Sequence, residues 1–240
     1  MLVGHGSRDA QTRVEHDALE ARMRAQFPHL HVASGFIELS EPPLSLALEQ
    51  IAHACEHVVV APLLLFAGGH MQRDVPNAIA HAQAQVPRTR FVVTEPFGLS
   101  AYVLQLASAR IAGQLVPGES TTIVLVGRGA AEPGAQQSFQ RVRQCLADRH
   151  PAHRFVTAYC GVQQPDVATV LRELRESGAQ RVLVKPYLLF TGRLLNEIAS
   201  AVQAARAQQP TLQITLCNHL GPDIAPALVE ALAAAFTPKS

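Results

Sequence analysis

Two histidines of this 240-residue chain stand next to glycine in short turn-like segments. His5 lies in LVGHGSRD, between Gly4 and Gly6, and His70 lies in AGGHMQRD, after Gly68 and Gly69. A third segment, FIELSEPPLS, carries Glu38 and Glu41. Neutral imidazole is a good ligand for divalent transition metals and also accepts a proton near neutral pH. The glycines permit unusual backbone angles and close approach of a flat ligand. Ser7, Arg8 and Arg73 flank the histidines and suit an anionic ligand. Glu38 and Glu41 equally suit the cap of a Pro-initiated helix, and Arg8 and Arg73 equally suit solvated surface. The residue types alone leave these pairs of readings open.

The elements that must bring these segments together can be read from the apolar rhythm. β-rich runs fall at 1–4, 30–37, 57–65 and 90–95, and again at 122–126, 154–160, 181–190 and 212–217. Stretches of helical length lie between them, such as 11–26 and 43–55. Alternating strands and helices imply βαβ units and a parallel sheet covered on both faces, and runs such as HVVVAPLLLF suit strands buried on both sides. Only three residues precede Gly4, so the first strand is expected to be short. In a doubly wound, flavodoxin-like sheet a ligand sits beyond the carboxyl ends of the strands where their order reverses, between the first and third strands. The His5 segment follows the first strand and the His70 segment the third, so topology predicts that the two imidazoles meet. The Glu38 segment follows the second strand and ends on the same edge.

The chain also repeats itself. A shift of 123 places Gly4 on Gly127, Gly6 on Gly129, Pro28 on Pro151, Pro42 on Pro165, Leu48 on Leu171 and Gly98 on Gly221. A shift of 124 aligns VVVAPLLLFAGG with VLVKPYLLFTGR. The ordered series indicates a duplication, with halves at 1–116 and 121–237 joined by the turn-rich VPGES. The expected fold is therefore α/β, two tandem doubly wound halves with a cleft between them. The second half keeps the frame and changes the side chains: His5 becomes Arg128, His70 becomes Leu194, and Glu38 and Glu41 become Gly161 and Gln164. The first half is expected to carry the chemistry and the second to offer Arg128 and Arg193 to anionic groups.

Composition narrows the function classes. Hydrophobic residues make up 48% of the chain and charged residues 16%, as in a well-packed soluble protein. A net charge of +1 gives no electrostatic case for nucleic acid. No apolar run is long enough to span a bilayer, and the N-terminus shows no basic region ahead of an apolar core, so the expected compartment is the cytoplasm. Cys55, Cys145, Cys160 and Cys217 are scattered and read as buried reduced thiols. His16, His29, His53 and His81 read as solvated.

The segments LVGHGSRD, FIELSEPPL and VVVAPLLLFAGGHMQRDVP, with KPYLLFTGRLLNEI in the second half, resemble the class II tetrapyrrole chelatases, in particular the two-half CbiX type of sirohydrochlorin chelatase. The resemblance covers nearly the whole chain. It implies ATP-independent insertion of a divalent metal into sirohydrochlorin, with Co²⁺, Fe²⁺ and Ni²⁺ all compatible with the donor set. It implies His5 and His70 as the metal-handling pair, and a monomer that needs no second copy. A non-catalytic metal or tetrapyrrole carrier would use the same residues. A histidine phosphatase would need arginine immediately before the histidine, where this chain has Gly4.

Overall fold

The computed structural model describes residues 1–161, 163–208 and 211–236, apart from the side chains of His70, Met71 and Phe236. It divides into two compact units, Met1–Ser100 together with the chain after Gly221, and Ala101–Gly221. No described helix is long and apolar enough to cross a membrane.

The first unit holds β1 (Leu2–Gly4), α1 (Ala10–Gln26), β2 (Ser34–Phe36), α2 (Leu44–Ala54), β3 (His57–Pro62), α3 (Val75–Gln85) and β4 (Arg90–Val93), all strands parallel in the order β2-β1-β3-β4. The order reverses between β1 and β3, as the sequence predicts. Asp9 starts α1 by accepting from Gln11 N–H at 2.9 Å, one of the donors a helix leaves open at its first turn. The core gathers Val3, Val58 and Val60 of the sheet with Leu44, Leu48 and Ile51 of α2 and Val75 and Ala82 of α3.

In the second unit α4 (Ala101–Ala112) precedes β5 (Thr122–Gly127), α5 (Pro133–Arg149), β6 (Arg154–Tyr159), α6 (Val167–Glu176), β7 (Arg181–Pro186), α7 (Arg193–Gln208) and β8 (Gln213–Leu216), in the order β6-β5-β7-β8. The α6 stripe Val167, Val170, Leu171 and Leu174 closes on Val124, Val126, Val182 and Val184 of the sheet.

The duplication extends to single hydrogen bonds. Ile37 N–H donates to Gly4 and Cys160 N–H to Gly127, both at 3.0 Å, and Leu63 N–H donates to Val3 and Tyr187 N–H to Val126, both at 2.8 Å. The peptide bonds before Pro42 and Pro165 are both cis. The strands are shorter than the apolar runs suggest. Pro62 and Pro186, which have no N–H for the ladder, end β3 and β7, so 63–65 and 187–190 pass into the loops beyond the sheet edge. β2 begins at Ser34 rather than 30, because Leu30 N–H closes a turn onto Phe27 O at 3.0 Å.

The compact units are not the halves of the repeat. The last helix of the first half, α4, buries Val103, Leu104, Ala107 and Ile111 within the second unit, where Ser108 Oγ meets His150 Nε2 at 2.8 Å and the Cys217 thiol donates to Arg110 O at 3.4 Å. The last helix of the second half, α8 (Ala225–Phe236), packs on β3 and α1 of the first unit, where Arg22 binds the Pro222 carbonyl at 2.9 Å and Asp223 at 2.8 Å. The repeat records chain order, whereas the compact unit records which sheet a helix covers. One solvated histidine was also misplaced by its neighbours in sequence: His16 is buried, 4.7 Å from the Phe36 ring, and burial holds its imidazole toward the neutral form.

Lys185 of β7 is fully buried, where the first half has Ala61. Its Nζ donates to Asn218 O at 2.5 Å, and burial pulls its pKa down to about 8, with Arg110 adding to the shift and Cys217 opposing it. Between pH 8 and 10.5 the unfolded chain still holds the proton that the folded chain has lost, so this lysine's contribution to stability rises with pH over that window. The Cys217 thiol, raised by burial, acts with the opposite sign at alkaline pH. Lys185→Met is therefore expected to be more stable than the wild type by about 1–3 kcal/mol below pH 8. In paired denaturant titrations from pH 7 to 10 the advantage should shrink as pH rises.

Candidate metal-binding site

At the carboxyl edge of the first sheet, the loops after β1 and β2 run against each other. Ile37 N–H donates to Gly4 O at 3.0 Å and Glu38 N–H to His5 O at 2.9 Å, so the pairing of β1 with β2 continues past the last strand residues. Two glycines allow this approach. A Cβ at Gly4 would stand 2.8 Å from the Phe36 ring. At Gly6, with φ +93°, a Cβ would stand 1.6 Å from the Glu38 carbonyl oxygen. The consequence is that the side chains of His5 and Glu38 converge, with Nδ1 and Oε1 3.4 Å apart. His5 is 29% exposed and Glu38 51%, so both side chains reach solvent at this edge.

Ser7 and Ser40 join the same loops. Ser7 N–H donates to Ser40 Oγ at 3.1 Å, and the Ser40 hydroxyl donates to Ser7 O at 3.2 Å. Ser7 Oγ accepts from Asp9 N–H at 3.0 Å and from Thr12 at 3.2 Å, which ties the His5 loop to the start of α1. Arg13 of α1 reaches the Glu41 carbonyl at 2.9 Å and lies over the Phe36 ring at 5.2 Å.

His70 follows β3 and opens a π-helical turn, His70–Asp74, that runs into α3. Because β3 lies beside β1, this segment leaves the same sheet edge as His5. The His70 side chain lies outside the described atoms. Among the described residues no group of three or more His, Cys, Asp or Glu side chains is placed to hold a metal ion. The described donors of this edge are His5 and Glu38.

The other residues singled out in the sequence fall unevenly. Glu41 is exposed, and its main chain rather than its carboxylate makes the contact to Arg13. Arg8 and Arg73 are exposed. Gly68, which permits unusual backbone angles, does not adopt a positive φ, and a Cβ there would meet open space. Of Gly4, Gly6, Gly68 and Gly69, Gly6 alone is described with positive φ.

In the second unit the equivalent edge carries different groups. Gly129, with φ +82°, repeats Gly6, and a Cβ at Gly161 would press on Arg128 O at 2.3 Å, so the two loops again touch. Arg128 is exposed, and Arg193 pairs with Glu197 at 2.5 Å. Both arginines and Glu197 act on the Cys160 thiol, which burial first, and Glu197 second, push up to about 11. The structure thus groups Arg128 and Arg193 at one edge with Cys160, expected to be a buried thiol and found half-buried, and with Glu197, which was not among the expected site residues. The Arg193–Glu197 spacing of four on a helix was the available signal for Glu197.

The profile of the CbiX family matches residues 1–114 and again 122–237. The chain belongs to the CbiX family. Among its relatives in that family, the sirohydrochlorin ferrochelatase of Bacillus subtilis (strain 168) is 28% identical over 92% of this chain and 84% of its own length. The sirohydrochlorin cobaltochelatase of Priestia megaterium is 26% identical over 92% of this chain and 74% of its own. The structure of SirB from Bacillus subtilis with Fe³⁺ superposes with a TM-score of 0.84 at 28% identity, covering 98% of this chain and 93% of that one. The two profile matches fall on the two parallel sheets, so a CbiX unit is counted once per sheet.

The Gly6 approach gives a direct test. Gly6→Ala places a methyl group into the Glu38 carbonyl in a backbone conformation that L-residues avoid, and is expected to cost about 2–4 kcal/mol. Gly68→Ala should stay within about 0.5 kcal/mol of the wild type. Chemical denaturation of both variants checks the contrast.

Proposed function

We propose that this CbiX protein inserts a divalent metal into sirohydrochlorin and releases two pyrrole protons, without ATP. The observation that carries the reading is the His5–Glu38 pair, held 3.4 Å apart at the carboxyl edge of the first sheet, beside the point where the strand order reverses. The reading assigns His70, whose segment follows β3 on the same sheet edge, as the second metal-handling histidine. Relatives named for iron and for cobalt both match over most of their length, so both metals belong to the reading.

The residue chemistry fits the reaction. Imidazole nitrogen and carboxylate oxygen form a borderline donor set that binds Fe²⁺ or Co²⁺ without the permanence of thiolates. Each pyrrole N–H must lose its proton as a metal–nitrogen bond forms, and a neutral imidazole or an ionised carboxylate can accept it. Glu38, beside His5, can bind metal or stabilise the imidazolium. Glu41, Arg8 and Arg73 are exposed, and this reading gives them no step in the reaction. Sirohydrochlorin is rich in carboxylates, and Arg128 and Arg193 supply charge-assisted donors for them; Arg193 already has Glu197, which leaves Arg128 as the stronger anchor. The same reading has the enzyme act as a monomer in the cytoplasm.

Insertion is followed by the change in the visible spectrum of sirohydrochlorin on adding Co²⁺ or Fe²⁺ under anaerobic conditions. His5→Ala is expected to lower kcat by about 10²-fold or more, because it removes a group from the reacting centre. Arg128→Ala should instead raise KM, by about 1–3 kcal/mol of lost binding, with kcat nearly kept. Stoichiometric binding of metal and tetrapyrrole with no turnover would favour the carrier reading. Loss of turnover in Arg128→Ala at saturating substrate, with His5→Ala intact, would move the chemistry to the second unit.

A further inference from the structure

We infer that Ser40 is a positioning residue for metal insertion, setting the spacing of His5 and Glu38; this rests on the proposed function of that pair. Its hydroxyl is the side-chain link of the two loops beyond the backbone ladder. It accepts from Ser7 N–H at 3.1 Å and donates to Ser7 O at 3.2 Å, so both the donor and the acceptor of one peptide segment are held by a single atom. Ser7 follows His5 by two residues and Ser40 follows Glu38 by two. The double bond between Ser7 and Ser40 therefore sits just beyond the pair, and the Glu38 N–H to His5 O bond at 2.9 Å sits at the pair itself. Between these two ties neither loop can slide or open without changing the 3.4 Å separation of Nδ1 and Oε1.

The chain contains its own comparison. Gln163 stands where the repeat places Ser40, and its Oε1 accepts from Ala130 N–H, the counterpart of Ser7 N–H, at 3.0 Å. The amide reaches across with two more carbons, and Gln136 rather than Gln163 donates to Ala130 O, at 2.8 Å. The second unit thus closes the equivalent loops through a long acceptor from one side and a helix residue from the other. It does so where Arg128 and Gly161 replace His5 and Glu38 and no donor pair has to be spaced. The short bidirectional hydroxyl occurs only in the half with the donor pair. A loop that merely needs closing is satisfied by glutamine; a loop that must hold two ligands side by side has serine.

The test uses the full-length protein and three variants. Ser40→Gln transplants the closure that the second unit already folds with, Ser40→Ala removes it, and Ser40→Thr keeps the hydroxyl. Co²⁺ alone is titrated by its visible absorption, insertion into sirohydrochlorin gives kcat and KM, and the melting temperature of the metal-free protein reports folding. Supporting groups around metal ligands are worth about 10–100-fold in affinity or activity. Ser40→Ala and Ser40→Gln are expected to weaken Co²⁺ binding and kcat by about that factor, with KM for the tetrapyrrole and the metal-free melting temperature of Ser40→Gln near wild type. Ser40→Thr is expected to restore both. Wild-type Co²⁺ affinity and kcat in Ser40→Gln overturn the inference, as does a loss that Ser40→Thr does not rescue or that tracks the melting temperature. His5→Ala is run alongside: if it binds Co²⁺ and turns over like the wild type, the reading of the site itself has failed, whereas loss in His5→Ala with intact Ser40 variants refutes the positioning role alone.

Discussion

The close approach of two loops at the edge of the first sheet is the constraint on which the site depends. A parallel ladder normally stops with its strands, and here it runs on for two residues, through Ile37 to Gly4 and Glu38 to His5. Extension is sterically forbidden to any residue with a Cβ at position 6, where the Glu38 carbonyl fills the space a methyl group would take. Glycine at one position thereby fixes where two side chains on other positions point. The chemistry of His5 and Glu38 follows from their types, but their meeting follows from what is missing at Gly6.

The duplicated half shows how separable the frame is from the chemistry. Gly129 repeats the positive φ, Gly161 repeats the close approach, and Cys160 N–H repeats the bond of Ile37. The side chains on that frame differ, with Arg128 in place of His5 and Gly161 in place of Glu38, and the packing beneath it has changed as well. His16 and Phe36 lie under Gly4, while Phe139 lies under Gly127 with its ring 5.7 Å from Tyr159. The buried Lys185, opposite Ala61 in the repeat, is a further asymmetry. Burying a cation with one carbonyl partner works against folding at neutral pH, so the second unit carries a cost that the first does not.

Much of this was legible in the sequence because strand alternation fixes which loops share a sheet edge. The apolar runs at 1–4, 57–65 and 122–126 marked strands, and a doubly wound order puts the loops of His5, Glu38 and His70 on one edge, whereas the direct pairing of His5 with Glu38 was not legible there. Boundaries were less legible, since 63–65 and 187–190 are as apolar as the strands and only Pro62 and Pro186 mark the stop. His16 was readable after the fact: it stands three residues before Leu19 and seven before Met23, on the buried stripe of α1. Ser40 gave no signal, because serine between two glutamates near Pro42 looks like any turn residue. The placement of α4 and α8 had no local signal either, as an amphipathic helix does not encode which sheet it will cover.

That placement gives the two sheets different histories on the ribosome. The second unit is closed by residues made in one continuous run, Ala101–Gly221. The first unit is closed by α8, and the contact of Arg22 with Asp223 spans 201 residues of chain. Domains usually fold in the order they are synthesised, each as its residues emerge. Here the amino-terminal sheet is made first and covered last, with the bulk of the second unit translated in between. Until the final helix has left the exit tunnel, the sheet that carries His5 and Glu38 has one part of its apolar surface open to water and to chaperones.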